Sequence, residues 1–400
     1  MKKTFNILFE LTNTDSAMDA FTPVVRALRK QQSEIKISVV DFCAFSYRIS
    51  DQKRLSEIFD EIWIPNKPEV KFHEWLSIRK IYKLPVLFRF RKSLSQELKK
   101  RKITFLIMMN DRVFPVVDLI HSAKQLDIPV MLIQESIRKD HVFGKRNIDF
   151  RTSLFQKWLR FYFYDTKMHG QGGCDVIAAW GKNGKEYFLN ADVEEKRIFI
   201  TGSSKMEYFE EQYSKCSVAS VRKKYSLPEL KKTILFTTNP LAGMRISTDS
   251  QYIEMIESVI NIFKNVFPQY QLIIKPHRLE LDFYKREFFG GMHNPNILFF
   301  PEMTLIEALV VSEKMIAFNS TTVLEAAYVK KSVGIINYFG LDYGVDFIER
   351  KLAENISNEN GLKNFIENSH DGTFGDLDYY FDQSGAAGDR IADLIIKNTK

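Results

Sequence analysis

The sequence predicts an α/β protein built from two doubly wound, parallel-sheet domains. Three observations predict it. A chain of 400 residues is too long for one ordinary core. Short apolar runs rich in β-branched residues alternate with longer helical patterns along nearly all of it. One stretch, about 205–230, breaks that alternation with polar, charged sequence around Met206-Glu207-Tyr208-Phe209-Glu210-Glu211.

Taken in order, the strand runs of the first half are Phe5–Leu11, Ile35–Asp41, Glu61–Pro65, Ile103–Met109, Pro129–Gln134, Asp175–Trp180 and Arg197–Thr201. Those of the second half are Thr233–Thr238, Gln271–Pro276, Asn296–Phe300, Lys314–Asn319 and Val333–Tyr338. Runs of this length, apolar throughout and bounded by turn residues, are what strands buried on both faces require. Alternation with helices makes the sheets parallel and doubly wound. The predicted domains are 1–205 and 230–385, with 386–400 a last helix that can cross back to the first.

Composition narrows the classes. Hydrophobic residues at 45% and charged residues at 27% are ordinary globular usage, so long disorder is excluded. The three cysteines, Cys43, Cys174 and Cys216, are scattered and outside any CxxC spacing, which excludes a disulfide framework and a cysteine zinc site and fits a reducing cytoplasm. No apolar run reaches the roughly 18 residues of a membrane span, and the opening segment reads as a first strand rather than a leader. The net charge of +7 suits a polyanionic ligand or an anionic membrane surface. No nucleic-acid module is visible, so nucleic acid is not an expected partner. Residues 72–102 and 151–164 mix aromatic with basic residues. They suit ordinary amphipathic packing, an acceptor groove, or peripheral contact with the inner face of the cell membrane.

Ligands of doubly wound sheets bind beyond the carboxyl ends of the strands, so the loops there carry the candidate chemistry. Ala317-Phe318-Asn319-Ser320-Thr321-Thr322 ends a strand in hydroxyl residues and opens a helix, a pattern suited to a phosphate. Glu325, one turn on, suits ribose hydroxyls. Thr322 to Glu325 is equally a formal capping box, which needs no ligand. Upstream, a strand ends in Lys275-Pro276-His277-Arg278. Here His277 suits a phosphate oxygen or leaving group, and Lys275 and Arg278 suit the pyrophosphate. Asn239 and Arg245 stand in the loop after the first strand of the second half.

The Lys-Pro-His segment followed by the Ser-Thr-Thr turn resembles the donor half of GT-B glycosyltransferases. It is most similar to bacterial surface-polysaccharide enzymes: CMP-sialic acid and CMP-Kdo transferases and CDP-glycerol polymerases. Where several of these carry His-Pro, this chain carries His277-Arg278. The segment Ala179-Trp180-Gly181, then Thr201-Gly202-Ser203, is similar to the passage before their interdomain crossover. Non-hydrolysing UDP-N-acetylglucosamine 2-epimerases also look similar, through Thr22-Pro23-Val24-Val25, Asn110-Asp111-Arg112, Gln134-Glu135-Ser136-Ile137-Arg138, Ser320 and Glu325. Their second glutamate is Ala326 here, and their acid–base loop is replaced by Thr237–Arg245. The resemblance implies two domains facing a cleft and a glycosyltransferase using a nucleotide-activated sugar, with CMP-sugar favoured and UDP-sugar next. The expected acceptor is a surface glycan such as capsule or lipopolysaccharide. The alternatives are an epimerase-like enzyme or a non-catalytic nucleotide-binding subunit.

Transfer needs a base for the acceptor hydroxyl and stabilisation of the departing phosphate. Asp15, Asp111 and Glu135 fall at or just after strand ends of the first half and are the candidate bases, with His277 as a further catalytic candidate. Asp111 next to Arg112 is also a candidate internal ion pair. No Asp-x-Asp motif stands out, so neither a metal nor a cofactor is expected.

Overall fold

The computed structural model describes residues 5–12, 14–32, 34–46, 48–68, 84–137, 168–229, 231–277, 280, 295–318, 320–368 and 375–399. The chain divides into two compact units, 1–138 with 143–208 and 378–400, and 139–142 with 209–377.

In the first unit β1 (Phe5–Leu11), β2 (Ile35–Asp41), β3 (Glu61–Trp63), β4 (Phe105–Met108), β5 (Val130–Ile133), β6 (Val176–Ala179) and β7 (Ile198–Ile200) form one sheet. Its order is β3-β2-β1-β4-β5-β6-β7 and its pairings are parallel. Strand alternation sends successive side chains into two cores. On one face Ile7, Phe9 and Leu11 pack with Phe21, Val24 and Leu28 of α1 (Thr14–Gln31) and with Ile391 and Ile395 of the C-terminal helix (Ala387–Asn398). On the other, Leu8, Leu106 and Met108 pack with Phe90, Leu94 and Leu98 of α3 (Leu84–Lys100) and with Leu119 of α4 (Val116–Lys124). α2 (Gln52–Ile58) and α5 (Lys182–Asn190) complete the two helical layers. Each fully buried side chain of this kind contributes about 1.5–3 kcal/mol. Helix α3, the described part of the aromatic-basic stretch 72–102, thus turns its apolar stripe inward, and its Arg91 is buried against Asp118. Phe88 remains 56% exposed on its outer side. Residues 69–83 and 151–164 lie outside the described residues.

The division between the units falls inside α6 (Ser204–Lys215). The stretch 209–229, which the sequence places between domains, belongs to the second unit because it packs there. Tyr225, ending α7 (Val218–Lys224), lies 5.1 Å from the Phe300 ring and donates its hydroxyl to Glu307 at 3.1 Å. Residues 378–400 belong to the first unit.

The second sheet contains β8 (Lys232–Thr237), β9 (Tyr270–Lys275), β10 (Ile297–Phe299), β11 (Lys314–Ala317), β12 (Ser332–Ile336) and β13 (Glu354–Ile356), ordered β10-β9-β8-β11-β12-β13 and parallel. α8 (Asp249–Asn265) and α9 (Leu305–Val311) both open on complete capping boxes, Thr248 with Gln251 and Thr304 with Glu307. These satisfy amides that the first turn leaves unpaired. α10 (Thr322–Tyr328) and α11 (Glu359–Glu367) follow β11 and β13. Lys314, buried at the start of β11, donates its ammonium to the carbonyls of Phe365, Ile366 and Asn368, closing the end of α11. All twelve expected strands are present, most of them a residue or two shorter than their apolar runs. β13 is additional: Glu354-Asn355-Ile356 buries only Ile356, so it has no apolar run to betray it. Among the described residues no helix is long and apolar enough to cross a membrane.

Candidate functional site

Strand order in the second sheet reverses between β8 and β11, the point where such sheets hold ligands. The register sets Thr237 opposite both Lys275 and Ala317, so the loops after β8, β9 and β11 start side by side. Hydrogen bonds tie them together. Thr237 and Thr322 share one between hydroxyls at 3.2 Å. The His277 amide donates to Thr238 Oγ1 at 3.2 Å, and that hydroxyl donates to Glu280 Oε2 at 2.8 Å. The structure therefore brings His277, Thr321 and Thr322 to one sheet edge with Thr237 and Thr238, at strand ends or in the loops that follow them.

The capping box expected from Thr322 to Glu325 is not formed. Thr321 is the cap, its backbone helical and without a side-chain cap bond, and the Thr322 hydroxyl is spent on Thr237. Ser320 Oγ accepts from the Thr322 amide at 3.3 Å. Ser320, Thr321 and Thr322 are half-buried, and Glu325 is 7% exposed. Lys275 turns its ammonium to the Met303 carbonyl at 2.6 Å, and burial pushes it below its usual range against the opposing pull of Glu307 and Glu302. Asn239 is half-buried and Arg245 exposed, with φ of 59°, at either end of a tight loop closed by the Met244 amide on Pro240 O at 2.8 Å. Arg278 lies outside the described residues. Glu280 and Tyr252 belong to no motif, and nothing in their local sequence marks them.

In the first unit the reversal lies between β1 and β4. Asp15 sits in the first turn of α1, and its side chain lies outside the described residues. Asp111 is wholly buried. Its Oδ2 accepts the amides of Gly170 at 2.9 Å and Gly172 at 2.7 Å, and its Oδ1 lies 2.9 Å from His169 Nδ1. Burial alone would raise this carboxyl, but the His169 ring and the two glycine amides outweigh it and hold the group below its ordinary value. Its ion-pair partner is thus His169, not the adjacent Arg112. Glu135, just past β5, is half-buried.

The sequence also hides Glu10 within an apolar strand. It is 1% exposed at the end of β1, and its Oε1 has no hydrogen-bond partner among the described residues. Burial, with Glu135 and Asp41 adding repulsion against the Thr12 hydroxyl, pushes its pKa up to about 8. The unfolded chain ionises near 4.5 while the fold keeps the proton, so this group removes stability as pH rises from there to about 8. Glu10→Gln is expected to melt below the native protein at pH under 4.5, where the unpaired amide is its main effect, and to exceed it by roughly 2 kcal/mol of stability at pH 9, where relief of the buried charge outweighs that cost. Melts across that pH range check this, and an advantage independent of pH would refute it.

Both halves are thus doubly wound parallel sheets whose strand order reverses once, the architecture of GT-B enzymes. No protein-family model matches the chain, and no curated protein matches it in sequence. Solved structures match it in fold over almost its whole length. The UDP-GlcNAc 2-epimerase of Methanocaldococcus jannaschii matches with a TM-score of 0.65 at 13% identity, over 99% of this chain and 100% of that one. The Neisseria meningitidis UDP-GlcNAc 2-epimerase, solved with UDP-GlcNAc, gives 0.65 at 14%, over 99% and 100%. A variant of the wall teichoic acid polymerase TagF gives 0.61 at 12%, over 99% and 89%. The chain has the GT-B fold shared by these epimerases and by a polymerase of the cell wall.

Proposed function

We propose that the protein is a glycosyltransferase that binds a nucleotide-activated sugar at the reversal of its second sheet. The observation that supports this best is the meeting of three strand-end loops there, bearing Thr237, His277, Ser320, Thr321 and Thr322. These supply hydroxyl and amide donors of the kind that hold a diphosphate. His277 serves the departing phosphate, Glu325 the ribose, and Asn239, Arg245 and Arg278 complete the donor site. Lys275 serves through its hold on Met303. In the first unit Glu135 is the base, since Asp111 is wholly buried and one of its oxygens already accepts two glycine amides; Asp15 remains a second candidate. No metal or cofactor takes part in this scheme. CMP-sugars are the favoured donors through the motif resemblance. UDP-sugars come next, since neighbours in fold were solved with UDP or UDP-GlcNAc. A surface glycan is the proposed acceptor.

The epimerase reading draws on the same neighbours, yet Ala326, where those enzymes resemble this chain but carry a glutamate, is fully buried in the core. Incubation with CMP-, UDP- and GDP-sugars tests the choice. Transferase action predicts donor cleavage that EDTA does not slow, and a fall of about 10²–10³-fold in kcat for His277→Ala. Failure to bind or turn over any donor would sink the proposal. Release of UDP with N-acetylmannosamine would transfer the assignment to the epimerases.

A further inference from the structure

Beside the proposed donor site lies a buried carboxylate that no motif announces. Glu280 is 5% exposed, and both its oxygens are engaged. Oε2 accepts from the Thr238 hydroxyl at 2.8 Å, and Oε1 accepts from the Tyr252 hydroxyl of α8. Its own amide donates to the His277 carbonyl at 2.8 Å. The His277 amide donates to Thr238 Oγ1 at 3.2 Å. These bonds close a ring: His277 N–H to the Thr238 hydroxyl, that hydroxyl to the Glu280 carboxylate, and the Glu280 N–H back to the His277 carbonyl. Both backbone polar groups of His277 are therefore held by one residue and its partner. Tyr252 extends the hold sideways, since its ring lies 5.5 Å from Phe318, which leads into the Ser320 turn.

Such an arrangement is costly. Burial raises the Glu280 carboxyl, against the hydroxyls of Tyr252 and Thr238 and the amide bond at His277. Among the described residues no cation pairs with Glu280, and a buried carboxylate held only by hydroxyls and an amide contributes little net stability; an apolar side chain of similar volume would usually cost less. Buried polar groups of that kind recur where a site must be held in one geometry. The ring spans the ends of two neighbouring strands, β8 and β9, at the reversal of the sheet. Its members Thr238 and Glu280 are buried, while His277 stays half-buried. We propose that Glu280 is a positioning residue, which through Thr238 locks the His277 backbone so that the imidazole meets the leaving phosphate. This rests on the donor-site reading given above.

The ring makes a pattern of variants that a general packing role would not. Thr238→Val keeps the shape but can neither accept from His277 nor donate to Glu280. Thr238→Ser keeps both bonds. Glu280→Gln can still accept from Thr238, whereas Glu280→Ala cannot. Tyr252→Phe leaves the ring itself closed. Thr238→Val and Glu280→Ala are expected to lose on the order of 10²-fold in kcat, as misplaced catalytic groups do, with nucleotide Kd within about threefold. Thr238→Ser, Glu280→Gln and Tyr252→Phe are expected to stay within about threefold of the native kcat. Hydrogen–deuterium exchange of the peptide carrying His277 should speed up in Thr238→Val and stay native in Thr238→Ser. Native kcat in Thr238→Val, an equal loss in Thr238→Ser, or unchanged exchange in Thr238→Val would overturn the proposal. A native protein that turns over no donor would defeat the donor-site reading instead, and the exchange pattern alone would then decide whether the ring holds His277.

Discussion

Replacing Gly181 by alanine is expected to destabilise the first unit by about 3 kcal/mol, lowering its Tm by roughly 6–12 °C. A Cβ at Gly181 would stand 2.6 Å from the backbone carbon and oxygen of Tyr380. Main chain cannot swing aside as a flexible side chain can, so the segment 378–399 would have to lift. That segment is stitched to the first unit close by. The Asp382 amide donates to the Trp180 carbonyl at 2.8 Å, Arg390 Nε to the Thr201 carbonyl at 2.8 Å, and the Tyr379 hydroxyl to Glu186 at 2.6 Å. Phe381 packs its ring 5.3 Å from Trp180. Gly202, with φ of 76°, would meet Arg390 and the Asp382 carbonyl at 2.6 Å if it bore a Cβ. It is expected to tolerate valine even less well, through both clash and left-handed backbone. Lifting the segment also pulls Ile391 and Ile395 from their core. Calorimetric melts of Gly181→Ala check this, and a Tm within about 1 °C of native would show that the C-terminal segment does not bear on Gly181.

The same region shows what was legible and what was not. Trp180-Gly181 and Thr201-Gly202 could be picked out as resembling a family passage, but their reason lies at the far end of the chain, where no local pattern reaches. The strands were legible because a parallel strand covered by helices must be apolar on both faces. β13, an edge strand with one buried residue, escaped for want of that constraint. The Ser320-Thr321-Thr322 turn and His277 stand out in the sequence as candidates because hydroxyl, cation and imidazole at strand ends have few other uses together. Glu280 and Glu10 do not. Charged residues are common in sequence, and only three-dimensional burial makes these two exceptional. Thr322-Val323-Leu324-Glu325 misled in the opposite direction: it has the letters of a capping box, but the hydroxyl found Thr237 across the sheet edge.

Asp111 separates structure from catalysis most sharply. Asp111→Ala is expected to cost about 3–5 kcal/mol, because it removes the acceptor of two glycine amides and the partner of a fully buried histidine at once. Asp111→Asn keeps the shape and one acceptor oxygen for Gly170 and Gly172, and is expected to cost about half as much. The pH dependence follows from the depressed carboxyl. The folded form holds its proton more weakly than the unfolded chain does. The contribution of Asp111 is therefore complete above the unfolded value near 3.8 and is lost as pH falls from there through the folded value. Denaturant melts at pH 7 and pH 3 should find the gap between native and Asp111→Asn narrowing on acidification; a gap that widens would contradict the depressed carboxyl. Activity then decides between the two candidate bases. If Asp111 is an anchor, folded Asp111→Asn keeps most of its donor turnover while Glu135→Gln loses on the order of 10²-fold or more. The reverse outcome would move the base to Asp111, and the bonds from His169, Gly170 and Gly172 would then be what orients it rather than what occupies it.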